Sequence, residues 1–119
     1  MSRILVVDDE PDLRFLLRHV LASAGHEVTD AGDGATALDC VHETPPDLVV
    51  TDMMMPVMGG VEFIHRLRAD PHTAAIPVLA VSGDSHLAVD ADATVAKPWQ
   101  PAELRAAVDD LLRKGRDGP

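Results

Sequence analysis

Near its N-terminus the chain reads Ile4-Leu5-Val6-Val7-Asp8-Asp9-Glu10-Pro11. Four apolar residues without alternation are typical of a strand that is buried on both faces of a sheet. Acidic residues and a proline follow, a favourable combination for the first turn of a helix. The stretch therefore predicts a strand that passes directly into a helix, with two adjacent carboxylates at the junction.

The same alternation of short apolar runs and helical spacing continues along the chain. Further strands are predicted at Glu27–Ala31, Leu48–Thr51, Val78–Val81 and Ala93–Ala96. Helices are predicted from Pro11 to about Gly25 and at Gly34–Glu43, Val61–Ala69 and Pro101–Lys114. The inner stripe of the first helix is predicted to comprise Leu13, Leu16, Leu17, Val20 and Leu21. Strands that alternate with helices indicate an α/β fold with a mostly parallel sheet covered on both faces.

Composition limits the classes of function. The 119 residues carry a net charge of −10, with 46% hydrophobic and 25% charged residues, as expected for one globular domain. We expect this domain at residues 1–114, followed by a polar tail at residues 115–119. The acidic balance argues against a nucleic-acid partner, and no apolar run is long enough for a membrane span. A single cysteine and the lack of a signal-peptide pattern favour the cytoplasm.

Polar residues follow four of the predicted strands. Asp8 and Asp9 follow the first strand, Asp52 the third, Ser82 the fourth and Lys97 the fifth. In a parallel α/β sheet, ligands bind outside these strand ends. Three carboxylates there would repel one another unless a cation intervened, and Mg²⁺ suits a small set of oxygen ligands. Asp52 can then act as a nucleophile that forms an aspartyl phosphate, with Lys97 and Ser82 binding the phosphoryl oxygens.

The chain resembles a receiver domain of the two-component response-regulator family, the CheY-like proteins. The likeness covers almost the whole chain and rests on three motifs in order: Ile4–Pro11, Asp52–Gly60 and Ala96–Trp99. It implies a single doubly wound five-stranded parallel sheet of the flavodoxin type, in strand order 2-1-3-4-5. It also implies that the chain is not an enzyme with a separate substrate and catalyses only its own Mg²⁺-dependent phosphorylation and dephosphorylation.

The resemblance also implies a role for each matching residue. Asp52 corresponds to the phosphoacceptor, Asp9 to a direct Mg²⁺ ligand, and Asp8 to an acid that acts largely through metal-bound water. The backbone carbonyl of Met54 corresponds to a further ligand.

Three other positions match the phosphoryl-binding part of the family site. Lys97 corresponds to the lysine that pairs with the phosphoryl group, and Ser82 to the hydroxyl that moves onto it. Pro98 corresponds to a proline that usually follows a cis peptide bond.

The sequence departs from the family pattern between Ser82 and Lys97. Only residues 83–96 separate them, where the family normally accommodates two loops and a complete fourth helix. We therefore predict that the fourth helix, confined to about 84–89, is shortened or missing. The usual switch aromatic on the fifth strand is replaced by Thr94, so the usual readout of phosphorylation is altered.

The leading hypothesis is a stand-alone receiver that takes a phosphoryl group on Asp52 from a sensor histidine kinase or a histidine phosphotransfer protein. It would signal through an unknown protein partner or by onward phosphotransfer. A second hypothesis is a docking module that works independently of phosphorylation. A phosphatase with an aspartyl nucleophile is disfavoured because Met54, not an acid, stands two positions after Asp52. Nucleotide binding is disfavoured because no glycine-rich loop follows the first strand.

Overall fold

A five-stranded parallel sheet lies at the centre of the computed structural model, which describes residues 2–83 and 90–115. The strands are β1 (Arg3–Val7), β2 (Glu27–Ala31), β3 (Leu48–Asp52), β4 (Val78–Ser82) and β5 (Ala93–Ala96). Their order in the sheet is β2-β1-β3-β4-β5, and every neighbouring pair is parallel. The predicted strand order is confirmed.

Four helices lie in the described part of the chain. They are α1 (Pro11–Ser23), α2 (Gly34–Glu43), α3 (Gly60–Ala69) and α4 (Pro101–Lys114). Local sequence explains where they begin: α1 and α4 have proline in the first turn, and α2 is capped by Asp33, whose side chain accepts a hydrogen bond from the Thr36 N–H at 2.8 Å. All nine elements lie within one or two residues of their predicted limits.

Two hydrophobic clusters lie on opposite faces of the sheet. One packs β-strand side chains against α2 and α3 around Phe63, and the other packs them against α1 and α4 around Leu104. All five residues of β3 are buried because this strand is central and covered on both faces. The phosphoacceptor candidate Asp52 is therefore the last residue of a fully buried strand.

The predicted inner stripe of α1 is partly wrong. Leu17, Val20 and Leu21 are buried, but Leu16 is 44% exposed and Leu13 only partly covered. The core-facing arc of α1 is narrower than the apolar stripe in the sequence. The surplus leucines border a surface groove, described below.

A short connection joins β4 to β5. It comprises residues 83–92, fewer than the dozen or more that usually link neighbouring parallel strands. Its last residue, Asp92, accepts a hydrogen bond from the Val78 N–H and pairs with Arg68 of α3, both at 2.7 Å. The predicted shortening of the fourth helix falls on residues 84–89, which lie outside the described residues, and stays a prediction.

Candidate functional site

The strand order brings three acidic residues to one edge of the sheet. Asp8 and Asp9 directly follow β1, and Asp52 ends the adjacent strand β3. Val7 of β1 is in register with Thr51 of β3. The residues that follow them in the chain, Asp8 and Asp52, therefore lie side by side at the edge of the sheet. The predicted meeting of the three carboxylates is thus a result of register as well as of topology.

These three carboxylates form a compact cluster. Each offers an oxygen atom, and the three oxygens lie within 4.8 Å of one another. Asp8 and Asp52 are almost fully buried, and Asp9 is partly exposed. Within residues 2–83 and 90–115, it is the one group of three or more potential metal-ligating side chains. Buried oxygens of like charge at this spacing fit a divalent cation such as Mg²⁺.

The pKa of Asp8 reflects this crowding. Burial raises the pKa of Asp8 above its ordinary value, and the charges of Asp52 and Asp9 raise it further. The Glu10 N–H, which donates to Asp8 Oδ1 at 2.9 Å, and the charge of Lys97 act in the opposite direction. The Glu10 N–H and Lys97 offset only part of the repulsion among the three carboxylates, and a bound cation would neutralise the rest.

Lys97 provides a positive charge next to Asp52. Its Nζ lies 3.1 Å from Asp52 Oδ1, which also accepts hydrogen bonds from the backbone N–H groups of Met53 at 2.8 Å and Met54 at 3.4 Å. The Lys97 N–H donates to the carbonyl of Ser82 at 3.0 Å, which extends the β4–β5 ladder to the lysine. The Lys97–Pro98 peptide bond is cis, as the resemblance implied.

The remaining predicted residues lie nearby in different environments. Ser82 ends β4, next to the strand of Asp52, and its side chain is buried. Met54 follows Asp52 by two residues and its side chain is 69% exposed. Thr94, at the position of the usual aromatic, is exposed on β5 and in register with Ala80.

The loop between β3 and α3 is closely packed where it leaves Asp52. A Cβ atom on Gly60 would lie 2.7 Å from Met53 Cα and 2.8 Å from the Asp52 carbonyl oxygen, so only glycine fits there. Val57, further along the loop, has a φ of 69°, which is unfavourable for a β-branched residue. Its side chain is 88% exposed.

Sequence reasoning missed two features beside the acidic cluster. The first is Arg14 of α1, whose Nη1 donates to the backbone carbonyl of Asp8 at 2.8 Å and whose Nε donates to Asp30 Oδ2 at 3.1 Å. An arginine in the helix that follows the acidic pair was a usable signal, but its partner near the end of β2 could not be predicted from spacing.

The second is a groove of about 370 Å³ between α1 and the segment that follows β5. Its lining is mostly apolar but includes Asp8 and Lys97 of the acidic site. The lining residues are Asp8, Leu13, Leu16, Leu17, Lys97, Pro98 and Trp99. Trp99 and the exposed Leu16 therefore line the same groove.

No helix in the described part of the chain is long and apolar enough to cross a membrane. The lone thiol, Cys40 on α2, is partly covered. Burial and nearby acids raise its pKa, which keeps it in the thiol form at neutral pH.

Comparison with known proteins gives a consistent result. The family model for the response regulator receiver domain matches residues 4–109. The DNA-binding response regulator MtrA of Mycolicibacterium smegmatis is 40% identical over 125 aligned positions, which cover 99% of this chain and 54% of MtrA. The sensor histidine kinase TmoS of Ectopseudomonas mendocina is 39% identical over 92% of this chain but only 12% of its own length. The chain thus spans about half of MtrA and a small part of TmoS.

A solved structure shares both the fold and the sequence pattern. The response regulator protein TrrA of Thermotoga maritima, crystallised in complex with Mg(2+)-BeF, superposes with a TM-score of 0.85 and is 34% identical. The match covers 93% of this chain and 99% of TrrA.

Proposed function

The chain belongs to the response regulator receiver domain family, and from this membership we propose that it accepts a phosphoryl group on Asp52 from a phosphohistidine of a partner protein. One observation carries the proposal. The Asp52 carboxylate lies close to two further acids and 3.1 Å from the Lys97 ammonium. An acid beside a cation site and a lysine is suited to attack phosphorus and to share the resulting charge.

For the metal we propose the residues that the family resemblance implies, three of which form the acidic cluster. Asp9, Asp52 and the backbone carbonyl of Met54 would hold Mg²⁺, and Asp8 would act largely through metal-bound water. Bound Mg²⁺ would supply positive charge that neutralises the transferring phosphoryl group. That TrrA was crystallised with Mg(2+)-BeF supports the choice of metal.

In the proposed reaction, a carboxylate oxygen of Asp52 forms a bond to the phosphorus atom. The bond from phosphorus to the donor's imidazole nitrogen breaks, and its electron pair stays on that nitrogen. Lys97 then pairs with the phosphoryl oxygens, and the Ser82 hydroxyl donates a hydrogen bond to one of them. Attack of water on the acyl phosphate returns Asp52 and inorganic phosphate, so the chain catalyses only its own phosphorylation and dephosphorylation.

The proposed donor is a sensor histidine kinase or a histidine phosphotransfer protein. The apolar groove beside Lys97 supports a protein donor, because Leu16 and Trp99 offer it a hydrophobic surface at the site of transfer. We propose that the phosphorylated domain signals to a protein partner or passes the phosphoryl group on. MtrA is named a DNA-binding response regulator. The net charge of −10 nevertheless argues against nucleic-acid binding by the residues of this chain, because phosphate binding requires basic side chains. The cytoplasmic location stays a prediction.

A docking module that works independently of phosphorylation is the second candidate. It is favoured by Thr94, which lacks the ring that would follow the movement of Ser82, and by the short connection between β4 and β5. Under this hypothesis the site binds Mg²⁺ but phosphorylation leaves partner binding unchanged.

The test is phosphorylation by acetyl phosphate with Mg²⁺, followed on a phosphate-affinity gel. We expect a shifted band that needs Mg²⁺, is removed by hydroxylamine and is absent from Asp52→Asn. Asp39→Asn, the same change at an exposed acid of α2, is the matched control and should shift like the parent. A folded, Mg²⁺-binding parent that shows no shift would leave the docking module as the better account.

A further inference from the structure

Arg14 joins the ends of two strands behind the acidic cluster. It extends from α1, and its side chain is 24% exposed. Its planar guanidinium donates to the Asp8 carbonyl at the end of β1 and to the Asp30 carboxylate near the end of β2. Two charge-assisted hydrogen bonds from one rigid group fix the relative position of their acceptors better than two independent contacts would.

Two residues near the end of β2 surround the Arg14 guanidinium: Gly32 leaves space for it, and Asp30 pairs with it. Asp30 also pairs with Arg18 of α1 at 3.6 Å, a longer contact than its 3.1 Å pair with Arg14. A Cβ atom on Gly32 would lie 3.2 Å from Arg14 Nη1, so any larger residue would press on the guanidinium. Asp30, near the end of β2, and Gly32, just after it, therefore both constrain the Arg14 guanidinium.

The carbonyl that Arg14 holds belongs to the peptide unit that links Asp8 to Asp9. This unit is planar, so fixing its carbonyl direction also fixes the direction in which the Asp9 backbone leaves it. The Asp8 N–H donates to the Ala31 carbonyl at 3.1 Å, which ties the preceding peptide unit to the end of β2 as well. The backbone that carries both acids is therefore held from β2 and from α1.

We propose that Arg14 is a positioning residue that sets the Mg²⁺ affinity of the site by holding the Asp8–Asp9 peptide unit. The inference rests on the proposed function, because it assumes that the acidic cluster binds Mg²⁺. Arg14 itself carries a positive charge and does not bind the metal. It acts through the two acids whose backbone it orients.

Electrostatics and positioning predict opposite effects when Arg14 is replaced. Removing a positive charge near a cation site should by itself strengthen Mg²⁺ binding. Losing the support of a ligand's orientation typically weakens metal binding by about 10-fold or more. The sign of the change therefore identifies the mechanism.

The experiment is calorimetric titration of the full chain with Mg²⁺, with thermal unfolding in EDTA as the check of folding. We expect Arg14→Gln to weaken Mg²⁺ binding by about 10-fold. Arg14→Lys, which keeps the charge but cannot make both bonds at once, should lie between Arg14→Gln and the parent. Arg18→Gln removes the neighbouring charge from Asp30 without touching Asp8, and should leave the affinity unchanged or slightly higher.

Gly32→Ala provides a second variant that alters no charge. It displaces the guanidinium by a few tenths of an ångström and should weaken binding by less than Arg14→Gln does. Unchanged or tighter binding in folded Arg14→Gln would overturn the positioning role. A folded parent that binds no Mg²⁺ would overturn the proposed function itself, and the inference with it.

Discussion

Lys97 Nζ lies 3.1 Å from Asp52 Oδ1, and this contact joins the end of β5 to the end of β3 across the intervening strand β4. The Lys97 side chain is 31% exposed, whereas that of Asp52 is 6% exposed. Lys97 is partly open to water but Asp52 is buried, so removing the lysine would leave a buried carboxylate beside two other acids without its cation. Breaking the pair therefore costs stability, and the lysine also keeps a positive charge where phosphoryl oxygens would form.

Replacing Lys97 should affect both chemistry and stability. We expect Lys97→Met to slow phosphorylation by acetyl phosphate by about 100-fold, the usual effect of removing one group that stabilises a developing charge. Urea unfolding in EDTA should show a loss of about 2 kcal/mol, because the buried Asp52 carboxylate loses its partner. Lys97→Arg retains the charge and should be slowed less. A Lys97→Met protein phosphorylated at the parent's rate would contradict the assignment.

The acidic cluster should make the metal-free domain less stable at neutral pH. A carboxyl group whose pKa is raised by folding stabilises the fold below the pKa of the unfolded chain, and that contribution is lost as the pH rises through the folded-state pKa. Because the pKa of Asp8 is raised, chiefly by burial, ionised Asp8 is unfavourable at pH 7. Asn keeps the oxygen that accepts from the Glu10 N–H.

Asp8→Asn should therefore raise the Tm in EDTA at pH 7 by about 4 °C, equivalent to about 1 kcal/mol in a domain of this size. The gain should shrink as the pH falls toward about 4, where Asp8 of the parent is protonated. Mg²⁺ should stabilise the parent more than the variant. Asp39→Asn, the control, should change neither the Tm in EDTA nor the stabilisation by Mg²⁺. A lower Tm for Asp8→Asn than for the parent in EDTA would contradict the destabilising role of ionised Asp8.

Gly60 should tolerate no side chain. Gly60→Ala places a methyl group against the backbone of Met53 and Asp52, so we expect a loss of about 2 kcal/mol in urea unfolding and slower phosphorylation. Gly59→Ala is the matched control, because its Cβ would lie at ordinary distances of 3.5 and 3.7 Å from the nearest atoms. Equal stability of the two variants would show that the loop relaxes freely.

Val57 should be replaceable with a gain in stability. Its φ of 69° costs about 1 kcal/mol for a residue with a Cβ, and its exposed side chain loses no buried surface on removal. Val57→Gly should therefore raise the free energy of unfolding by about 0.5 kcal/mol, because the entropy of glycine in the unfolded chain offsets part of the relieved strain. The same change at Val61, an exposed residue of α3, should lower it by about 0.5 kcal/mol. A loss at both positions would mean that Val57 is not strained.

The strands, helices and acidic cluster could be predicted because they depend on local patterns and on topology. Uninterrupted apolar runs specify buried parallel strands, and the strand order then brings Asp8, Asp9, Asp52 and Lys97 to one edge. Neither step requires knowledge of side-chain conformation. The boundaries were also accurate because prolines and glycines mark most of them.

The contacts of Arg14 and the exposure of Leu16 could not be predicted in this way. The guanidinium of Arg14 reaches Asp30 through a particular rotamer, which no spacing in the sequence specifies. Leu16 belongs to the apolar stripe of α1, but the helix is rotated so that only part of the stripe meets the sheet. Both features depend on how neighbouring elements pack, at a finer level than the order in which they occur.

The short connection between β4 and β5 also affects how the sheet assembles. The entropy lost on closing a loop grows with the logarithm of its length. By chain length alone, pairing β5 with β4 through residues 83–92 costs about 0.8 kcal/mol less than pairing β4 with β3 through residues 53–77. The contacts at this edge are therefore more local than those elsewhere in the sheet, and local contacts are associated with fast folding. We expect the β4–β5 pair to be an early unit in the folding of this domain.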